Sequence, residues 1–178
     1  AGLERGWLLF ESALAAEPLN FNYWAALARA GGALEAVGRA LPAGMLRPSE
    51  ALLGAASRVR VAVDSGVYSK AEATESLCNL VIAGFDLEDY ETTLAISDQA
   101  LQLDPAHHST LNRAALGALF SGKKKLALRY LGIQMQHARD SEEKDYLNGF
   151  GNTVFQMPDE PAAFMDAVAE MKKSLRRE

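Results

Sequence analysis

Three histidines, one cysteine and one run of lysines are the residues of this 178-residue chain whose types could do chemistry. His107 and His108 are adjacent, and neighbours on a helix point about 100° apart, a poor arrangement for sharing a metal ion. The pair reads as a solvated helix start, and His137 falls in another helix. Cys78 has no second cysteine with which to form a disulfide or a zinc site. Its apolar neighbours at helical spacing make it a small buried hydrophobe. Lys123-Lys124-Lys125 follows Gly122 in a turn and could touch phosphate, but three lysines without interleaved aromatic residues read as a solvated loop, and no nucleic acid is expected. Gly-rich phosphate loops, Gly-x-Ser-x-Gly elbows and His-Glu-x-x-His pairs are absent. The expectation is therefore a protein that is not an enzyme and carries no cofactor or metal.

The elements that must position these side chains are helical, because no stretch alternates convincingly as a strand. Residues 3 to 16 read as an amphipathic helix ending at Glu17-Pro18, followed by a helix from about Phe21 to Arg29 that Gly31-Gly32 weakens or ends. A short helix from Leu34 to Leu41 and a turn at Pro42-Ala43-Gly44 come next. Ser49 is expected to cap a helix that runs to about Val63 and stops at Asp64-Ser65-Gly66. Ser69-Lys70-Ala71-Glu72 reads as a capping box for a helix to about Gly84 or Phe85. The chain then turns through Asp86 to Asp89 and returns from Tyr90 to Leu103. Past Asp104-Pro105 a second hairpin spans His107 to Phe120 and Lys124 to Arg139, broken at Ser121-Gly122. Asp140-x-x-Glu143 is a second capping box, opening a helix to about Gln156 that Gly149 and Gly151 weaken. Asp159 is expected to cap a last helix to Leu175, with Lys172, Lys173, Arg176 and Arg177 suited to its C-terminal end.

Leu77, Leu80, Val81 and Gly84, then Thr93, Ser97 and Pro105, stand where the tetratricopeptide repeat (TPR) family has Trp, Leu, Gly and Tyr, then Ala, Phe and Pro. One period on, Leu111, Ala114, Ala115 and Ala118 fall on a first helix and Ala127 and Leu131 on a second, with Arg139 in place of the closing Pro. Phe10, Ala13 and Pro18 keep the mutual offsets of Ser97, Ala100 and Pro105, and Trp24, Leu27 and Ala28 open a repeat with Trp-x2-Leu. The chain thus resembles a degenerate TPR protein, whose period is about 34 residues. Trp24 and Leu77 are 53 residues apart, so an extra helix must interrupt the middle. The resemblance implies an all-α fold of antiparallel hairpins stacked in a right-handed superhelix. It would form one domain over 1–178, with degenerate repeats in 3–66, the two best repeats in 69–139 and capping helices in 140–178.

In that family the first helix of each hairpin lines a concave face, and the two positions after the Trp-equivalent point into it. By this resemblance Ala25 and Ala26, Cys78 and Asn79, and Asn112 and Arg113 face the groove. Asn79 matches the asparagine that in family members hydrogen-bonds a peptide backbone, and Arg113 could hold a carboxylate. Cys78 stands where terminus-clamping members need lysine. The expected partner-binding residues are Asn79, Ile82, Asn112, Arg113 and Leu116, and the expected partner is a peptide segment of another protein, with a homodimer as a further possibility.

Composition bounds this reading. At 49% hydrophobic the chain can form one cored domain or about five short helical units. It shows neither an 18-residue apolar run nor a basic-apolar-small leader, so membrane insertion is not expected and a cytoplasmic location is. The net charge of −5 is unevenly distributed. From Thr74 to His107 there are seven acidic and no basic residues, and from His108 to Arg139 six basic and no acidic ones. Such fields either join neighbouring hairpins or orient a charged partner. The family also contains acidic secretion chaperones and repeat regions of larger enzymes such as glycosyltransferases. The Ala start and the incomplete first repeat favour the latter of these two alternatives to a free-standing adaptor.

Overall fold

The computed structural model describes residue 9 and residues 12–41 and 44–175. Phe10 and most of the expected first helix, Pro42-Ala43 of the expected turn, and Arg176 and Arg177 lie outside the described residues. Among the described residues every regular element is a helix and none is a strand. The chain divides into two compact units, Ala1–Pro105 and Ala106–Glu178. The first holds α1 (helical at residues 12–16), α2 (Phe21–Ala36), α3 (Pro48–Asp64), α4 (Lys70–Asp86) and α5 (Tyr90–Leu103). The second holds α6 (His108–Phe120), α7 (Lys124–Gln136), α8 (Ser141–Gln156) and α9 (Pro161–Leu175).

In the first unit α2, α3 and α4 pack on one another, and α5 packs on α3 and α4. Leu27, Leu52, Val59, Leu80, Val81 and Ile96 are fully buried where these helices meet. Helix α3 occupies the stretch between Trp24 and Leu77 in which an extra helix is expected. Contrary to expectation, α2 runs unbroken through Gly31-Gly32 to Ala36, and no separate helix covers Leu34 to Leu41. The physical reason is close packing. A β-carbon on Gly32 would overlap Leu87 Cδ2, and one on Gly31 would stand 3.2 Å from Met45 Cε and Pro48 Cγ. The glycines admit neighbours to the helix surface, which offsets their helix penalty of about 1 kcal/mol each.

The start of α3 also departs from expectation. Pro48 is the first helical residue and Arg47 the extended residue before it, so Ser49 lies inside the helix and does not cap it. Glu50 reaches back instead and accepts the Arg47 N–H at 3.0 Å. The box that opens α4 forms as expected. Ser69 Oγ accepts the Glu72 N–H at 3.2 Å, and Glu72 Oε2 accepts the Ser69 N–H at 2.8 Å.

The hairpins α4–α5 and α6–α7 share one register. Leu77 and Leu111, Leu80 and Ala114, Val81 and Ala115, Gly84 and Ala118, Thr93 and Ala127, and Ser97 and Leu131 are each 34 positions apart, and all twelve are buried. Their turns repeat as well. Asp89 N–H donates to Gly84 O and Glu88 N–H to Phe85 O, while Lys123 N–H donates to Ala118 O and Gly122 N–H to Leu119 O. Both are Schellman closures, in which one left-handed residue lets the chain satisfy the last helical carbonyls. That residue is Glu88 (φ 58°) in the first and Gly122 (φ 80°) in the second.

In the second unit α8 packs on α7 and α9 on α6. Helix α7 stops at Gln136, three residues short of the expected Arg139, with the His137 carbonyl taken by a side chain (below). Asp140 Oδ1 accepts the Glu143 N–H at 2.8 Å, but Glu143 Oε2 accepts from Arg139 N–H and not from Asp140, so the expected reciprocal box is shifted by one residue. Helix α8 continues through Gly149 and Gly151. Asp159 does not cap α9. Glu160 does, accepting the N–H groups of Ala162 and Ala163 at 3.1 and 2.7 Å.

Candidate functional site

The residues expected to bind a partner fall in both units. Asn79 and Ile82 lie three positions apart on α4, Asn79 exposed and Ile82 half-buried. Asn112, Arg113 and Leu116 lie on α6, Asn112 exposed and the other two half-buried. Spacings of three and four put Ile82 beside Asn79, and Leu116 beside both Asn112 and Arg113. Cys78 is buried, as its neighbours imply.

Asn79 opens onto a cleft of about 500 Å³ whose other wall is the segment between α1 and α2. Three contacts hold that segment. Tyr68 Oη donates to Leu19 O at 2.9 Å, Trp24 Nε1 donates to Pro18 O at 3.2 Å, and the Tyr68 ring meets Phe21 edge-on at 5.8 Å. The Arg58 guanidinium covers Trp24 from 4.5 Å. Asn79 Nδ2 lies 3.5 Å from Asn22 Oδ1, a long contact that a peptide group can displace. The cleft is lined by the polar Glu17, Asn20, Asn22, Ser76 and Asn79 beside Pro18, Leu19, Phe21 and Tyr68.

Asn112 opens onto a second cleft, of about 620 Å³, between the start of α6, the end of α7 and the start of α8. His108 is not the solvated residue expected of it. Its Nε2 lies 2.8 Å from His137 O, and its Nδ1 3.3 Å from Glu143 Oε1. His107 Nδ1 pairs with Thr110 Oγ1 at 2.9 Å. Glu143 is held below the usual carboxylate range, first by the Arg139 backbone N–H and then by the Arg139 guanidinium. Gln134, which the sequence reading passed over, lines the same cleft and is 6% exposed. A signal for it existed, since Gln134 continues the buried stripe of Ala127, Tyr130 and Leu131, where a polar side chain is out of pattern.

The lysine run borders a third cleft, of about 980 Å³, walled by Pro161, Phe164 and Met165 of α9. Lys124 is not part of a solvated loop. Its Nζ donates to Met157 O at 2.6 Å and to Asp159 at 2.7 Å, and it lies 6.0 Å from the Phe155 ring centroid. The Lys124 hydrogen bond, and then its charge, hold the Asp159 carboxyl below its ordinary range. A lysine so engaged fastens the α8–α9 connection to α7 and is not a mobile point charge for phosphate.

Among the described residues no group of three or more His, Cys, Asp or Glu side chains is placed to hold a metal ion, and no helix is long and apolar enough to cross a membrane. Compared with known proteins, the chain matches no family model, no curated protein and no solved structure.

Proposed function

We propose that this chain is a non-catalytic, TPR-like scaffold that holds a peptide segment of a partner protein along the first helices of its hairpins. What supports the reading is the 34-residue register common to α4–α5 and α6–α7, in which six pairs of buried positions and one turn geometry recur. A sequence that repeats its packing positions is free to vary its exposed ones, and those carry recognition. Here the exposed ones are Asn79 on α4 and Asn112 on α6, each with half-buried neighbours, Ile82 on α4 and Arg113 and Leu116 on α6. The asparagines can each donate to and accept from a peptide group, and the guanidinium can take a carboxylate in a fork. The half-buried Ile82 and Leu116 supply apolar contact beside them.

The test is capture from the native host's lysate on the full chain and on its Asn79→Ala, Arg113→Glu double variant, read by mass spectrometry. Asn79 is exposed and Arg113 half-buried, and circular dichroism should show both proteins equally helical. A protein retained by the first and lost by the second is the expected result. Equal retention, or none, overturns the assignment of recognition to these faces.

A further inference from the structure

The cleft of about 980 Å³ between the α6–α7 turn and the start of α9 has two walls of different kinds. One is basic, lined by Lys123, Lys124 and Lys125. The other is apolar, with Pro158, Pro161 and Met165 around the buried Phe164. Met165 is 41% exposed, and its Sδ would stand 3.2 Å from a β-carbon on Gly122, so glycine at this turn leaves room for the methionine. Methionine is unbranched and polarisable, and it adapts to apolar side chains of differing shape.

Charge distinguishes the walls further. Asp159 is the one acid among the described residues lining the cleft, and Lys124 already answers it. Glu160 is folded onto the Ala162 and Ala163 N–H groups, and Asp166 adjoins Met165 without lining the cleft. The helix ends offset one another, since α7 and α9 begin beside the cleft where α6 and α8 end. Lys125 and Arg129 remain. Both are exposed on α7, four positions apart, and among the described residues neither side chain makes a hydrogen bond or an ion pair. Lys125 acts on Asp159 through space only, as the last of the causes that lower that carboxyl. Like charges four apart on a helix repel, so an anion lying over both relieves a cost as well as adding an attraction.

We propose that this cleft docks an extended segment of a partner protein that carries a bulky apolar side chain between acidic residues. The apolar side chain enters between Leu126, Pro161 and Met165, and the acids lie over Lys125 and Arg129. Nucleic acid and anionic membrane fit less well, because two cations one turn apart neutralise few phosphates and the apolar surface is recessed between walls instead of projecting. The surface shares no residue with Asn79, Ile82, Asn112, Arg113 and Leu116, and the proposal does not rest on their reading.

The test adds acetyl-Asp-Glu-Leu-Phe-Glu-Asp-amide to the full chain, and separately its uncharged counterpart acetyl-Asn-Gln-Leu-Phe-Gln-Asn-amide and the anchorless acetyl-Asp-Glu-Ala-Ala-Glu-Asp-amide. The Met165 ε-methyl and the Lys125 backbone amide are followed by NMR. Saturable shifts with the first peptide alone are expected, and added salt should weaken them. Joint Lys125→Glu and Arg129→Glu substitution should weaken binding at least about tenfold with circular dichroism unchanged, because neither side chain makes a bond within the fold. The paired glutamine substitutions serve if the reversal does not fold. No saturable shift, an equal shift with either control peptide, or unchanged binding in the charge variants overturns the proposal. So does tighter binding of phosphatidylserine vesicles or of a single-stranded oligonucleotide at the same two signals, which would give the basic wall to a membrane or a nucleic acid.

Discussion

In α4–α5 a glycine faces a threonine, and in α6–α7 an alanine stands in each of the two positions. A β-carbon on Gly84 would lie 3.0 Å from Thr93 Oγ1, which cannot swing away because it donates to Asp89 O at 2.8 Å. Thirty-four residues on, Ala118 and Ala127 are both buried. The turns differ in the same complementary manner. The first hairpin strains a non-glycine residue, Glu88, in the left-handed region, and the second uses Gly122. One backbone plan thus tolerates different side-chain pairs provided that their combined size is conserved. Position-by-position identity between the two hairpins is lost, while the combined size of the two side chains is kept.

The sharpest way to break this comparison is to alter one side of the pair. Gly84→Ala gains about 1 kcal/mol of helix propensity but meets a fixed hydroxyl, at an overpacking cost of about 1–3 kcal/mol. A net loss is expected, read as a lowered urea midpoint. Adding Thr93→Ala recreates the pair of the second hairpin and should recover most of the loss, with a coupling of about 1 kcal/mol or more. Additive effects would mean that the two side chains do not share the contact.

The turns offer a smaller pair of changes with opposite signs. Gly122→Ala should destabilise by about 1–2 kcal/mol, because a β-carbon in the left-handed region crowds the backbone. That β-carbon would also come within 3.2 Å of Met165 Sδ. Glu88→Gly should stabilise by about 0.5–1 kcal/mol by removing the same crowding. Both are measured by thermal unfolding of the full chain. If Glu88→Gly destabilises instead, the Glu88 side chain contributes more than its backbone strain costs.

The same comparison explains what was legible in the sequence. Local chemistry was readable: Ser69 and Glu72 sit three residues apart and satisfy each other's amides, and the small residues at 34-residue spacing are buried. The failures occur where a distant residue decides a local question. Gly31-Gly32 looks like a helix end until Leu87, on another segment, is seen pressing on it. Asp159 looks like a cap, but Lys124 takes it and Glu160 caps in its stead. His108 looks solvated because its carbonyl partner, His137, is 29 residues away. For the candidate site, Asn79 and Asn112 came from the positions that the TPR resemblance implies, and both are exposed. Gln134 was missed because a glutamine has no motif of its own, and only its place on the apolar stripe gives it meaning.

The smallest expected effect distinguishes the two units by acid. Among the described residues four carboxylates have folded pKa values below their ordinary range, the exposed Glu72 in the first unit and the half-buried Glu143 with the exposed Asp159 and Glu160 in the second. The first cause is a backbone N–H for Glu72, from Ser69, for Glu143, from Arg139, and for Glu160, from Ala163; for Asp159 it is the Lys124 hydrogen bond. A depressed folded value means that the unfolded chain binds the proton more readily. The contribution is therefore complete above the unfolded carboxylate range and is lost as pH falls through the lower folded values. With three such groups against one, α6–α9 should lose hydrogen-exchange protection ahead of α2–α5 as pH is lowered, once rates are corrected for intrinsic pH dependence. Salt separates the causes further. The Lys124–Asp159 pair weakens with ionic strength, whereas hydrogen bonds from backbone amides at α8 and α9 respond less. Added salt should thus advance exchange at the α8–α9 connection and leave the start of α8 nearly unchanged. Simultaneous loss across α2–α9 would instead mean that the two units open as one cooperative body, and that these helix-end carboxylates do not set their separate acid limits.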